Sequence, residues 1–278
     1  MIVGYAALER QVASLHREFR SLRQGEEAAA APRRSAVALA AELGVSLDPW
    51  QRGTLETDRD ALLLVTRQGG KGMVASLLAL EALEDPGSTT VIIAKADRQA
   101  KRLLRRVKRL YRSLPDALPT VVDSTYALEL TNGAEILALP GSDETVRGVE
   151  AVDLLICDEA ALIPNELFAA VYPMLATTSG RCVAMTTPRG KRGWFYGEWS
   201  GGSDTWHRAS ITALDIPRIK PDWLQRTRLR LSDWVFRQEY QCQFVDTDDQ
   251  VFATDLIEGS LTRDVAPLFA IHGMGVTA

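Results

Sequence analysis

The sequence predicts an α/β fold, a mostly parallel sheet flanked by helices, and three observations carry the prediction. Short, continuously apolar runs at 61–65, 89–94, 152–157 and 181–186 alternate with longer helical patterns. Runs of that length with no polar side read as strands buried on both faces, as parallel strands are. A glycine-rich turn bearing a lysine, 67–72, joins the first run to a helical segment. The third run ends in two carboxylates, Asp158 and Glu159.

Taken in order, residues 5–24 carry an apolar stripe, Leu8, Val12, Leu15, Phe19 and Leu22, at spacings of four and three. That is a helix packed on its own domain or on a partner. The alanine-rich stretch from Gly25 to Arg34 is low in complexity and reads as a linker. The chain therefore divides into an N-terminal helix and linker at 1–34, an α/β domain at 35–245, and a tail at 246–278. Within the domain, a short helix over 35–43 stops at Gly44. Ala61–Val65 is a strand, Lys71 to about Glu84 a helix closed by Pro86 and Gly87, Thr89–Ala94 a strand, and 97–113 a long helix. Thr131-Asn132-Gly133 lies between Val121–Leu130 and Ala134–Leu139, and Asn-Gly is a strong hairpin signal. Val152–Cys157, interrupted by Asp153, and Arg181–Thr186 complete the strands. After Gly201 the pattern weakens, to helices at 221–230 and 232–241.

Bulk properties narrow the function classes. The 278 residues are 46% hydrophobic and 24% charged, enough for an ordinary core. A net charge of −4 means that any contact with nucleic acid comes from local patches. Cys157, Cys182 and Cys242 are three and widely separated, which suggests reduced thiols in an intracellular protein. His16, His207 and His272 are as scattered and form no metal-ligand pattern. No stretch approaches a membrane span, and the N-terminus does not read as a signal peptide.

The turn Arg67-Gln68-Gly69-Gly70-Lys71-Gly72 sits where a phosphate-binding loop belongs, between strand and helix. Glycines let backbone N–H groups converge on phosphate oxygens, the helix start favours an anion, and Lys71 adds a point charge. The loop departs from the usual pattern at two places. Val65 stands where the first glycine would be, and Gly72 where a Ser or Thr hydroxyl would hold Mg²⁺. Ser76 is a turn too late to replace it, and a water could fill the place at some cost in affinity. On the far side, Asp158 can hold Mg²⁺ and Glu159 can activate an attacking water. Lys71 and Asp158 are 87 residues apart, which leaves room for intervening strands.

Between Lys95 and Arg112 stand nine basic residues and one acid, Asp97. Arg98, Arg102, Arg105, Arg109 and Arg112 share one helical face opposite Leu103, Val107 and Leu110. That face could grip phosphates without regard to sequence, or be a solvated or subunit-facing surface. Arg189, Lys191, Arg192, Trp194, Phe195 and Tyr196 make a second cluster, whose aromatics read as core.

Across roughly 44–245 these motifs, in this order, resemble the large terminase family of tailed phages. Leu47-Asp48-Pro49-Trp50-Gln51 looks like the family's adenine-contacting segment, and Arg67 to Lys71 like its Arg-Gln-x-Gly-Lys loop. The stretch from Pro140 to Gly148 resembles the segment before the acidic strand. Thr186-Thr187-Pro188 looks like the motif that couples hydrolysis to movement, and Phe236 to Phe244 like the stretch that closes the ATPase domain. The resemblance implies a RecA-like P-loop NTPase that translocates double-stranded viral DNA into a procapsid, with ATP as substrate and Mg²⁺ as cofactor. It implies that Arg67 stabilises the γ-phosphate and that Arg147 is an arginine finger reaching a neighbouring subunit. It further implies a homo-oligomeric ring, portal and small-terminase partners, and a place in the host cytoplasm with transient docking on the procapsid. Nuclease activity is not expected. About thirty residues follow Phe244; Asp246, Asp248, Asp249 and Asp255 read as a solvated linker, and Leu268–Ile271 as a cut-short first strand of a nuclease domain. Two other readings fit the loop: a DNA-stimulated helicase or translocase, and a non-catalytic assembly protein that binds nucleotide or DNA.

Overall fold

One eight-stranded sheet, in the order β3-β4-β5-β2-β6-β7-β1-β8, organises the computed structural model. The structure describes residues 33–139 and 149–245. The N-terminal stripe, the whole stretch from Pro140 to Gly148 with Arg147, and the acidic tail lie outside the described residues. The strands are β1 (Asp60–Val65), β2 (Thr89–Ala94), β3 (Thr120–Asp123), β4 (Ala127–Leu130), β5 (Glu135–Leu139), β6 (Leu154–Asp158), β7 (Arg181–Thr186) and β8 (Trp206–Ile211). From β5 to β8 every neighbour is parallel, and β3, β4 and β5 join antiparallel at one end. The helices are α1 (Ala36–Glu42), α2 (Pro49–Leu55), α3 (Lys71–Ala82), α4 (Asp97–Tyr111), α5 (Asn165–Val171), α6 (Gly193–Ser200), α7 (Pro221–Arg230) and α8 (Asp233–Gln241).

The continuous apolar runs exist because the sheet has a core on each face. Successive side chains on a strand alternate sides. Ala61, Leu63 and Val65 enter one core with α1, α3 and α4, while Leu62 and Leu64 enter the other with α5 and α6. Helix α3 is sandwiched so closely that Val74 to Leu80 are all buried. Ser76 is among them, and its hydroxyl donates to the Gly72 carbonyl at 2.7 Å, so it faces its own helix. Trp194 stacks on Phe168 with centroids 3.6 Å apart, and Phe195 is fully buried, so these aromatics are core.

Two expectations need correction. The stretch 121–130 is two strands, because Ser124 turns the chain. Its Oγ accepts from the Ala127 N–H at 3.0 Å, and Lys108 Nζ reaches in from α4 to Asp123 Oδ1 at 2.7 Å and the Ala127 carbonyl at 2.8 Å. Lys108 is thereby buried and is no part of the basic outer face. The second is β8, which the sequence did not announce. Trp-His-Arg-Ala-Ser-Ile lies at the edge of the sheet and is half exposed, so it has neither a continuous apolar run nor clean alternation.

Asp153, which breaks the apolar run, ties the start of β6 to β2. Its Oδ2 accepts from the buried Thr89 N–H at 2.8 Å, and its own N–H donates to the Thr89 carbonyl at 2.9 Å. Asp153→Ala leaves the Thr89 N–H unpaired and should cost about 1–3 kcal/mol. Urea unfolding should show a lower midpoint with an unchanged m-value; an unmoved midpoint would remove Asp153 from the account of the sheet.

Candidate functional site

The chemistry-bearing residues gather where β1, β7 and β6 end. The Thr66 N–H is held by the Ile211 carbonyl at 2.9 Å, and the chain then turns sharply through Gln68, with φ 61°, and Gly70, with φ 104°. Side chains are excluded at both Gly69 and Gly70. A Cβ at Gly69 would lie 2.5 Å from Val65 Cγ1 and 2.9 Å from the Thr66 carbonyl, and one at Gly70 would lie 2.6 Å from Gln51 Nε2. The turn delivers the chain into α3 at Lys71, so the N-terminal end of a twelve-residue helix lies at the opening. That opening is a cleft of about 350 Å³, lined by Arg67 to Gly72, by Gln99, Arg102, Leu103 and Arg106 of α4, and by Asp158, Glu159 and Thr187. Four cationic side chains face two carboxylates, an excess that suits a polyanion. A second cavity, lined by Leu214, Leu224, Phe236 and Tyr240, holds none of these groups.

Lys71 Nζ donates to Glu159 Oε1 at 2.6 Å, across side chains only 18% and 24% exposed. Glu159 has φ 53°, a left-handed conformation that a non-glycine residue adopts at a cost, and it swings the carboxylate out of line with β6. The Glu159 N–H donates to Asp158 Oδ1 at 3.0 Å. Burial pushes the Asp158 carboxyl above the usual carboxylate range; Lys71 opposes the rise, Glu159 adds to it, and Arg106 opposes it weakly. A desolvated carboxylate, at the end of a strand and close to the glycine turn, has the donor chemistry Mg²⁺ takes alongside phosphate oxygens and waters. The residues therefore fit such an ion, with Asp158 as the protein ligand.

Three braces hold the turn, from the start of α2, from Arg218 and from α8. Asp48 accepts from both Nη atoms of Arg218, at 2.8 and 2.7 Å, and Arg218 Nη2 also donates to the Gly69 carbonyl at 3.3 Å. Gln51 accepts from the Asp48 N–H at 2.9 Å and directs its amide at the Gly70 carbonyl at 3.5 Å. Glu239 of α8 takes the Arg67 guanidinium in an ion pair, while its backbone carbonyl accepts from Thr66 Oγ1 at 2.9 Å.

Several expected residues take unexpected places. Trp50 is not among the residues lining the cleft and packs on the larger core, its indole N–H without a hydrogen-bond partner among the described residues. Gln51 is buried and acts on the turn itself. Of the threonine pair, Thr187 lines the cleft; Thr186 is fully buried and donates to the Thr187 carbonyl at 2.8 Å. Arg98, Arg105 and Arg109 are exposed on the outer face of α4, whereas Arg102 stands at the cleft. Arg218 and Arg106 carried no signal in the sequence. Arg218 follows an unrecognised strand, and Arg106 is one of nine basic residues between Lys95 and Arg112, on a helix whose rotation was unknown.

Asp158 also links the site to stability. Its folded-state value lies above the ordinary 3.8, so its charge costs stability at neutral pH. That cost is absent below the unfolded value, appears as pH rises from there to the folded value, and is constant above it. Asp158→Asn, which keeps the acceptor for the Glu159 N–H, should therefore raise the melting temperature at neutral pH. The gain should shrink as pH is lowered toward 3.8; a variant less stable than wild type at neutral pH would contradict this.

The profile described as terminase large subunit, T4likevirus-type, N-terminal, matches residues 62–258. The terminase large subunit of Thermus phage G20c is 29% identical in an alignment 227 residues long that covers 67% of this chain and 46% of that protein. The chain spans less than half the length of the terminase large subunits it matches. The structure of the large terminase ATPase domain of Thermus phage P74-26 superposes with a TM-score of 0.65 at 25% identity, covering 77% of this chain and all of that domain. The large terminase of another thermophilic bacteriophage, solved with ADP, shares the fold at 15% identity, with a TM-score of 0.63 over 72% of this chain and 54% of that one. With well over half its length inside that profile and its sheet matched by those structures, the chain belongs to the terminase large subunit family.

Proposed function

We propose that the cleft binds and hydrolyses ATP with Mg²⁺, and that the chain is the motor part of a subunit that drives double-stranded viral DNA into a procapsid. One observation carries the reading: Lys71, Asp158 and Glu159 converge from the ends of β1 and β6, one strand apart, beside a turn whose Gly69 and Gly70 admit no side chains. The P74-26 domain, named for its ATPase, supports it.

In this reading the turn and the start of α3 cradle the phosphates, and Lys71 neutralises the outermost ones. Asp158 holds Mg²⁺, which when bound neutralises charge on the phosphates. Glu159 orients the attacking water and accepts its proton. Arg67 stabilises the γ-phosphate from one side. Arg147 does so from a neighbouring subunit of a homo-oligomeric ring. Thr187, at the cleft, reads phosphate state, with Thr186 anchoring it. Gln51 serves the adenine side of the site indirectly, through its hold on the turn, with Trp50 behind it on the core. The outer face of α4, with Arg98, Arg105 and Arg109, meets DNA phosphates, and Arg102 does so from the rim of the cleft. The portal and the small terminase subunit complete the assembly, in the host cytoplasm and docked transiently on the procapsid. Among the described residues no helix is long and apolar enough to cross a membrane.

Glu159→Gln should lower turnover by about 10²–10⁴-fold, the range for loss of a positioned general base. Because the same change frees Lys71, ATP affinity should hold or tighten. Steady-state hydrolysis with a parallel binding titration checks both; preserved turnover would discard Glu159 as the base. Wild-type turnover should also rise with protein concentration, and Arg147→Ala should lower it by about 10³-fold or more. Mixing Arg147→Ala with Glu159→Gln should restore part of the activity, since one donates the carboxylate and the other the arginine. No recovery on mixing would argue against a finger acting between subunits.

A further inference from the structure

Gly72 follows the P-loop lysine, at the place where such loops usually carry a hydroxyl. In this chain another residue fills that space. A Cβ at Gly72 would collide with Nη1 of Arg106 and lie 3.3 Å from its Cζ. The guanidinium thus stands where a side chain at 72 would be. Arg106 comes from the middle of α4, held by the buried Leu103 and Val107 on either side. Arg102, Arg105 and Arg109 are exposed, whereas Arg106 is half-buried and lines the same cleft as Lys71, Asp158 and Glu159. It has no hydrogen-bond or ion-pair partner among the described residues. Full solvation by bulk water is denied to it there, and a half-buried guanidinium with five donors calls for an oxyanion.

We infer that Arg106 is a phosphate ligand acting within its own subunit, donating to nucleotide phosphate oxygens from the place that Gly72 leaves open. The inference rests on the ATP reading above. A guanidinium supplies fixed charge and paired donors where a hydroxyl would only help hold an ion. Part of the phosphate charge is then neutralised by the chain itself, so ATP binding should persist better without Mg²⁺ than a hydroxyl-bearing loop would allow. The glycine at 72 leaves Arg106 that room.

The test is ATP binding to the whole chain by calorimetry, in EDTA and in Mg²⁺. Arg106→Gln should weaken binding in EDTA by about 10–100-fold, the range for a charged hydrogen bond, and by less in Mg²⁺. Gly72→Ala, which displaces the guanidinium, should give a similar loss, and the double variant should lose little more than either single one. Arg106→Lys should recover part of the affinity. Lys71→Ala serves as the reference for loss of the loop. If Lys71→Ala abolishes binding while Arg106→Gln binds ATP in EDTA as tightly as wild type, this inference fails and the ATP reading stands. Losses that multiply in the double variant would also overturn it, since Arg106 and Gly72 would then act independently. A wild-type chain that binds no ATP in either condition overturns both.

Discussion

The cleft depends on β7 lying between β1 and β6. Neighbouring strands are about 4.8 Å apart, so two spacings separate the end of the glycine turn from the end of the acidic strand by roughly 10 Å. Lysine and glutamate side chains can close that gap, and Lys71 and Glu159 do. Were the two strands adjacent, the carboxylates would crowd the turn; one strand further, Lys71 could not reach them. The parallel register fixes the depth as well, with Leu64 opposite Thr186 and Met185 opposite Asp158, so all three strands end at one level.

That level is costly to maintain. Asp158 is desolvated, Glu159 holds a left-handed backbone, and Gln68 does the same on the other side of the cleft. Strain and buried charge concentrated in one place, within a sheet whose strands are otherwise apolar and regular, mark where the sequence was shaped for something other than stability. The braces follow from the same constraint. A turn with two glycines is loose in itself, and it is fixed by Asp48 with Arg218 and by Gln51 at the start of α2, and by Glu239 of α8.

Legibility in the sequence followed burial. Strands buried on both faces were readable as apolar runs, and β2 and β7 have the bounds of those runs. The glycine turn and the acidic pair were readable because their spacing to a strand end is local. Edge strand β8 was not, since one exposed side removes the run without imposing alternation. Side-chain direction was legible only in part. The exposed arginines of α4 share the face that periodicity assigned them, yet Lys108 and Arg106 turn inward to Asp123 and Gly72, and no pattern on the helix itself marks those targets. Long-range partners such as Arg218 for Asp48 are set by the topology and have no local trace.

Glu239 joins the cleft to the end of the described chain. Its carboxylate holds Arg67, and its carbonyl holds Thr66 and faces the Arg67 N–H at 3.4 Å, so one residue of α8 grips both the side chain and the backbone of the turn. The Arg67 side chain is 65% exposed while that of Glu239 is 11% exposed, so the arginine is the partner free to leave. A guanidinium drawn to a phosphate would have to loosen this pair, and among the described residues the carboxylate left behind would keep only the Gln238 amide, at 3.2 Å. Leaving a buried carboxylate without its cation is unfavourable. Movement of Arg67 toward a phosphate is therefore opposed at α8 unless α8 itself adjusts, and the geometry ties the state of the cleft to the position of that helix.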